Sequence, residues 1–519
     1  MKLGVSTPDR TGKGQAGFPE VKRQNYFRMK KIFKLIGFPT LVAALALSGC
    51  TKSFEDINTD PDAFPEVPVT NMLGNVLRNT GESFGGDVDG YGTFAGYIVK
   101  IQYLDYMSGL IPTNNTYGNR WYAAYYNITQ LNDVLDKTTD EFNRNTRLVA
   151  RLWQSYMWLY LTDGWRDVPY TEAQKGGEEQ GSVLKPKYDK QEDIYPAILD
   201  SLKVIADEMA VGFGDDELGA GDFIYDGDME NWQRFCNSLR LRAAIHISGV
   251  APELARTTIE EIAGNPNKYP IIDNNSANCY LYWPGAEPYN EPWYNVGYID
   301  RRVNNFGISD IFIEHLLETE DPRIAAVANK ASDGEYRGYQ NGAASQPSNL
   351  ASISFIGDRY MNDAAGFTPF FKSAESYYIL AEAAMLGYNV GMSAQEAYEK
   401  AVHLSMEDNG VSTAAADAYL AGAGKWNNTL ERIWWDEWVA LFKDNFEAWT
   451  LYRRTGIPST NYPSINSVYG DAHNDQPFRL PYPNNEYQYN EERLNEVLVN
   501  VEDFVWGQQM WWDTRTDVF

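Results

Sequence analysis

The residues best equipped for chemistry crowd into one stretch: Tyr280, Tyr282, Trp283, Tyr289, Trp293, Tyr294 and Tyr298, interleaved with Pro284, Pro288 and Pro292. Proline fixes its own φ and discourages helix and sheet. A segment punctuated at this interval is therefore expected to be extended and stiff, so rings on it lose little entropy on binding. A sugar offers apolar C–H faces that stack on Tyr and Trp, and hydroxyls that need polar partners. Asp300, Arg301, Asn304 and Asn305 follow at once and can supply them. The chemistry this predicts is stacking and hydrogen bonding with no bond broken. Trp283, Tyr289, Trp293, Tyr294, Arg301 and Asn305 are the candidate ligand contacts. A second aromatic set, Tyr91, Tyr103, Tyr106, Tyr117 and Trp121, adds Tyr91 and Trp121. The competing reading, that the rings pack onto the scaffold, is stronger for this second set. Trp121 shares a helical apolar stripe with Tyr125, Ile128, Leu131 and Leu135. If the rings are held out to solvent, truncating Trp283 or Trp293 weakens oligosaccharide binding and leaves stability nearly unchanged.

Signatures of bond-making chemistry are missing. His246, His315, His403 and His473 are scattered, and neither Cys236 nor Cys279 has a Cys-x-x-Cys partner. Gly422-Ala423-Gly424-Lys425 lacks the upstream glycine and the following Ser/Thr of a phosphate loop. Asp222, Asp226, Asp228 and Glu230 do not have calcium-loop spacing, and Asp228 reads better as a helix cap. The Gly85–Gly90 run is equally weak as a metal site. No cofactor and no metal are expected. Carboxylates are so numerous that counting leaves a glycosidase pair open.

One further residue has chemistry assigned by its context. Met29-Lys30-Lys31 and Lys34 precede an apolar run from Leu35 to Leu47, and Leu47-Ser48-Gly49-Cys50 closes it. This is a secretory leader ending in a bacterial lipobox. The Cys50 thiol is expected to carry a diacylglyceryl group and the new amine a further acyl chain, which anchors durably. The apolar run falls short of the about 20 residues a bilayer needs, and Pro39 interrupts it. Residues 1–28 read as a non-native extension before a start at Met29. Residues 50–68, with prolines at 61, 65 and 68, read as a lipid-anchored tether.

The net charge over 519 residues is −27, and the leader is basic, so the remainder is more acidic still. Such a surface repels nucleic acid and anionic lipid and favours neutral or cationic ligands. Two cysteines beyond Cys50 permit one disulfide and make no scaffold. Helical periodicity dominates from residue 69 onward. Ile194, Ile198, Leu202, Ile205 and Met209 form one stripe, with Asp189 and Glu192 spaced as a capping box. Ala394, Tyr398 and Ala401 have the small-aromatic-small spacing of a tetratricopeptide second helix. Long aromatic, Pro/Gly/Asn-rich segments at roughly 81–118, 264–307, 332–370 and 456–490 separate the helices, and loops of that length are often functional.

Several segments together resemble the SusD/RagB-like surface lipoproteins of Bacteroidetes. They are Phe54 to Pro61, Asp167-Val168-Pro169-Tyr170-Thr171-Glu172-Ala173, Gly227-Asp228 through Trp232 to Arg242, and Ala381-Glu382-Ala383-Ala384. Glu447-Ala448-Trp449, Arg453 to Gly456, Arg479-Leu480-Pro481-Tyr482-Pro483 and Trp511-Trp512-Asp513 follow in order. The resemblance implies a mainly α fold over residues 69–519, with tetratricopeptide-like hairpins packed against a loop-rich ligand-binding region. It also implies an outer-membrane location facing the exterior and a SusC-like TonB-dependent transporter as partner. The ligand would be a neutral oligosaccharide or, alternatively, a peptide, captured without cleavage. Arg240 and Arg242 would bury their stems and pair with carboxylates. From other classes come a surface glycoside hydrolase and a purely structural lid.

Overall fold

A computed structural model describes residues 67–518, apart from 86, 89, 105–116, 178–182, 344, 460–475, 500 and 502–504. Cys50, the leader, most of the expected tether and Tyr106 lie outside the described residues. From Val67 onward the chain is one compact unit.

Six helices follow one another, α1 (Val69–Gly85), α2 (Gly118–Lys137), α3 (Arg144–Trp165), α4 (Gln191–Val211), α5 (Met229–His246) and α6 (Pro252–Gly264). Each packs on the next, which is the stacked-hairpin arrangement that the resemblance implies. The predicted stripes face inward: Trp121, Ile128 and Leu131 on α2 and Ile194 to Met209 on α4 are all buried. A second series comprises α7 (Asp310–Glu318), α8 (Ser373–Met385), α9 (Ala394–Asp408), α10 (Thr413–Ala421), α11 (Leu430–Ala440) and α12 (Asn445–Thr455). Within it α8 packs on α9 and α11, and also reaches α5. Tyr398 on α9 is buried and donates to Asp436 Oδ2 on α11 (2.8 Å), so the small-aromatic-small triplet does serve helix stacking. Among the described residues no helix is long and apolar enough to cross a membrane.

Two short antiparallel pairs join the loop-rich part. β1 (Ile98–Lys100) pairs with β3 (Phe306–Ile308), and β2 (Cys279–Tyr282) with β4 (Phe367–Phe371).

Local signals mostly land where expected. Asp228 caps α5 by accepting from the N–H groups of Glu230 and Asn231. Asp189 is different: Lys190 holds the α4 cap position, and the Asp189 carboxylate accepts from Tyr170 N–H (3.1 Å) and Thr171 N–H (2.7 Å) instead. It fastens the preceding loop because a nearer set of free donors competes for it. A capping box forms at Ser393 and Glu396, ahead of α9. Cys236 and Cys279 are buried and unbonded.

Ion pairs hold the two helical series together. Arg242 on α5 makes a two-point contact with Glu375 on α8 (2.5 and 2.6 Å) and reaches Asp444 (3.3 Å), while Arg240 pairs with Glu261 on α6 (2.6 Å). The Arg242 and Glu375 side chains are only 4% and 2% exposed, so removing Arg242 would leave the Glu375 carboxylate buried without its cation, at a cost of about 3–5 kcal/mol. Nearby, His246 Nε2 lies 2.8 Å from Glu447 and Nδ1 3.5 Å from Asp163, with Tyr195 Oη 3.0 Å from Nδ1. Burial alone would lower the His246 pKa, but the two carboxylates outweigh it and push it up to about 9.

Candidate ligand-binding site

β2 delivers the aromatic segment to the surface beside α1. Alternation along the strand sends Leu281 and Trp283 toward α1, where a Cβ at Gly81 would stand only 3.1 Å from Trp283 Cζ2 and 3.2 Å from Leu281 Cδ1. The bare backbone at Gly81 lets helix and strand approach. Trp283 is 4% exposed, and its Nε1–H donates to Thr368 Oγ1 on β4 (3.0 Å). Tyr280 and Tyr282 take the other direction. Tyr280 stacks on Phe367 at 4.5 Å, whereas Tyr282 is 61% exposed.

Beyond Trp283 the chain turns tightly. Gly285 adopts φ +72°, and a Cβ there would meet Ala365 at 2.8 Å, so glycine is required by both conformation and space. Tyr289 N–H donates to Ala286 O (2.7 Å), closing a turn that holds the Tyr289 ring out, 44% exposed. The Arg78 guanidinium of α1 sits 5.5 Å from the centre of that ring. It is itself held by Asn75 Oδ1 (3.1 Å), Asn79 Oδ1 (3.0 Å) and Glu82 Oε1 (2.5 Å). Beside them opens a pocket of about 180 Å³, lined by the buried Leu281 and Trp283, by Phe223, Tyr282, Pro284 and Tyr289, and by Arg78.

The segment does not stay extended past this point, and the structure corrects the expectation there. Pro292 begins a helical turn, Pro292–Tyr294, which continues into a wider turn over Asn295–Ile299. Proline suits the first helical position as well as it suits an extended one. The Glu291 carboxylate caps the turn by accepting from Tyr294 N–H (2.9 Å) and pairs with Lys443 (3.1 Å) beneath it. Burial pushes the Glu291 carboxyl up and the Lys443 ammonium down, and each opposes the shift of the other. Winding the chain this way carries Trp293 inward. It is 1% exposed, edge-on to Phe442 at 6.0 Å, with the Lys443 ammonium 5.1 Å from its ring centre.

Three other candidates also differ in placement. Tyr91 is buried, stacked on Tyr117 at 4.8 Å with its hydroxyl 2.7 Å from that of Tyr160. Trp121 is buried edge-on to Trp165 at 5.2 Å, as its helical stripe dictates. Asn305 is buried, and its carbonyl accepts from Ile101 N–H (2.8 Å) beside the β1–β3 pair. In the present conformation Tyr91, Trp121, Trp293 and Asn305 are core residues, with no face open to a ligand. Trp283 is buried but lines the pocket. Tyr289 and Arg301 are exposed, and Tyr294 is half-buried, stacked on Tyr298 at 5.2 Å. Arg78 and Phe223 line the pocket without having been singled out. Arg78 sits on a polar helix row with no aromatic context, and nothing local distinguishes Phe223.

The acidic loops serve the backbone. The Asp222 carboxylate accepts from the N–H groups of Ile224, Tyr225 and Gly227 and from Trp232 Nε1. Asp87 accepts from Gly90 and Tyr91 N–H. Among the described residues no group of three or more His, Cys, Asp or Glu side chains is placed to hold a metal ion.

A family model described as SusD-like, starch-binding and associating with the outer membrane, matches residues 62–483. The fold is similar to that of a chitin-binding SusD homologue from Flavobacterium johnsoniae, at 22% identity and TM-score 0.73, over 86% of this chain and 99% of that one. It is also similar to a SusD-like protein from Bacteroides thetaiotaomicron, at 23% identity and TM-score 0.75, over 87% of this chain and 100% of the other. A further structure, a chitin-binding protein, is 25% identical with TM-score 0.73, over 85% and 100%. No curated protein sequence matches the chain. With most of its length matched by the family and its helices stacked in the same way, the chain belongs to the SusD-like family.

Proposed function

We propose that the chain captures oligosaccharides at the outer-membrane surface and passes them, uncleaved, to a SusC-like TonB-dependent transporter, tethered by lipid on Cys50. The observation that carries this reading is the pocket beside α1. Two tyrosine rings, Tyr282 and Tyr289, stand open to solvent at its edge, and Arg78, held by Asn75 and Asn79, sets a guanidinium next to them. Flat apolar faces beside planar polar groups are what a sugar ring requires. Tyr294, Tyr298 and Arg301, further along the same segment, are proposed as additional contacts for a longer chain. Tyr91, Trp121, Trp293 and Asn305 are proposed to support the platform from within. The family description and the two chitin-binding structural neighbours support a carbohydrate ligand.

Calorimetric titration with a panel of neutral oligosaccharides tests the reading. At least one should bind, and Tyr289→Ala should weaken it by up to about tenfold, the equivalent of an aromatic contact of about 0.5–1.5 kcal/mol. Shorter products in the cell would overturn capture without cleavage. A panel with no binder would overturn the ligand class. Cys50→Ala should move the protein out of the membrane fraction, and unchanged fractionation would overturn the anchor.

A further inference from the structure

We infer that the pocket over Trp283 is a subsite for an acylamino group, so that the preferred ligands are oligosaccharides of N-acylated aminosugars. This rests on the carbohydrate reading above and narrows it. The pocket volume of about 180 Å³ lies below the roughly 300–1,000 Å³ of sites that enclose a whole drug-sized ligand. It holds one ring or one substituent, and the rest of the chain runs over the exposed tyrosines.

The walls decide which substituent. The side chains of Phe223, Leu281 and Trp283 offer a hydroxyl no acceptor, and the one polar hydrogen among them is committed, since Trp283 Nε1–H donates to Thr368. A hydroxyl pushed against these three walls loses its water and finds no acceptor there for its proton, whereas a methyl group loses nothing. Arg78 is the charged member of the lining, and a guanidinium has donors only. It is matched by a carbonyl oxygen and mismatched to an ammonium. Its ion pair with Glu82 balances its charge, so a neutral group suits the position better than a carboxylate. A short apolar tip joined to a carbonyl acceptor, on an otherwise uncharged sugar, is an acetamido group.

Three β-1,4-linked tetrasaccharides that share one backbone and differ only at C2 test this: the acetamido form (chitotetraose), the hydroxyl form (cellotetraose) and the free amine (its fully deacetylated counterpart). Titrated calorimetrically into the purified chain, the acetamido form should bind about tenfold or more tightly than the hydroxyl form, the sum of one buried methyl and one hydrogen bond to a charged group. The amine should bind weakest. Arg78→Leu, on the helix surface, should cut the preference for acetamido over hydroxyl to about fourfold or less, the part left to the methyl, with unchanged circular dichroism. Equal affinity for the acetamido and hydroxyl forms overturns this inference and leaves the carbohydrate reading standing, as does undiminished discrimination by Arg78→Leu. Silence from all three, and from starch, xylan and mannan oligosaccharides, overturns both.

Discussion

Trp293 tests most sharply whether aromatic density or backbone path decides which rings meet a ligand. Sequence reasoning puts Trp293 on the binding face, so its truncation would cost affinity and spare stability. The structure predicts the opposite. The ring is 1% exposed, packs edge-on against Phe442, and lies 5.1 Å from the Lys443 ammonium that pairs with Glu291. Trp293→Ala therefore opens a cavity and strips a buried cation of its aromatic face. Buried Phe or Trp to Ala changes cost about 3–5 kcal/mol, a value that already contains the cation–π part. Against a typical total of about 5–15 kcal/mol, that is a fifth or more of the stability. Urea unfolding followed by far-ultraviolet circular dichroism should show a midpoint lowered by a large fraction. Tyr289→Ala, which removes a ring already 44% exposed, should shift it by less than about 1 kcal/mol equivalent. An unchanged midpoint for Trp293→Ala, together with lost oligosaccharide binding, would refute the buried placement and restore the ring to the ligand.

Two other perturbations separate the site from its support. Gly81→Val sets a branched side chain where a Cβ alone already stands 3.1 Å from Trp283; overpacking of about 1–3 kcal/mol and loss of binding should appear together, and full affinity would mean that α1 does not set the pocket. The His246 pKa, raised from its ordinary value to about 9 by Glu447 and Asp163 against burial, adds stability that is complete below about pH 6.5 and lost as pH rises through 9. Asp444, pushed up to about 6 by burial, gives a slope of the same sign over a lower range, since its ionisation opposes folding as pH rises toward 6. The urea midpoint should thus fall between pH 6.5 and 9, and His246→Gln should flatten that fall. A midpoint rising over this interval would contradict the placement of His246 between the two carboxylates.

Much of the fold is legible because its signals are local or periodic. The α2 and α4 stripes bury as their spacing dictates, Asp228 caps as its position before Met229 suggests, and Tyr398 with its two small neighbours finds α11. Where a residue has two chemically equivalent uses, local reading fails. Asp189 can cap a helix or gather the N–H groups of Tyr170 and Thr171, and only the three-dimensional position of those donors decides. The pairing of Arg242 with Glu375 joins residues far apart in sequence. Position in the chain names neither partner, although the expectation of some carboxylate partner is met.

The site shows the same limit at higher stakes. Pro284, Pro288 and Pro292 look alike in sequence, yet the first two belong to the extended and tightly turned part that presents Tyr282 and Tyr289, and the third opens a helical turn that swings Trp293 into the core. Proline constrains φ to a value shared by helix and extended chain, so its spacing cannot choose between them. What chooses here is Glu291. Its carboxylate meets a helix-terminal N–H and a buried ammonium at once, which ties the winding of the chain to a charge on the turn between α11 and α12. Tyr282 and Tyr289, before that anchor, face solvent, and Trp293, the first ring after it, does not. The inward seating of Trp293 thus hangs on a single buried ion pair, so Glu291→Gln should disturb Trp293 and the pocket together while leaving the far face of the helical stack unaltered.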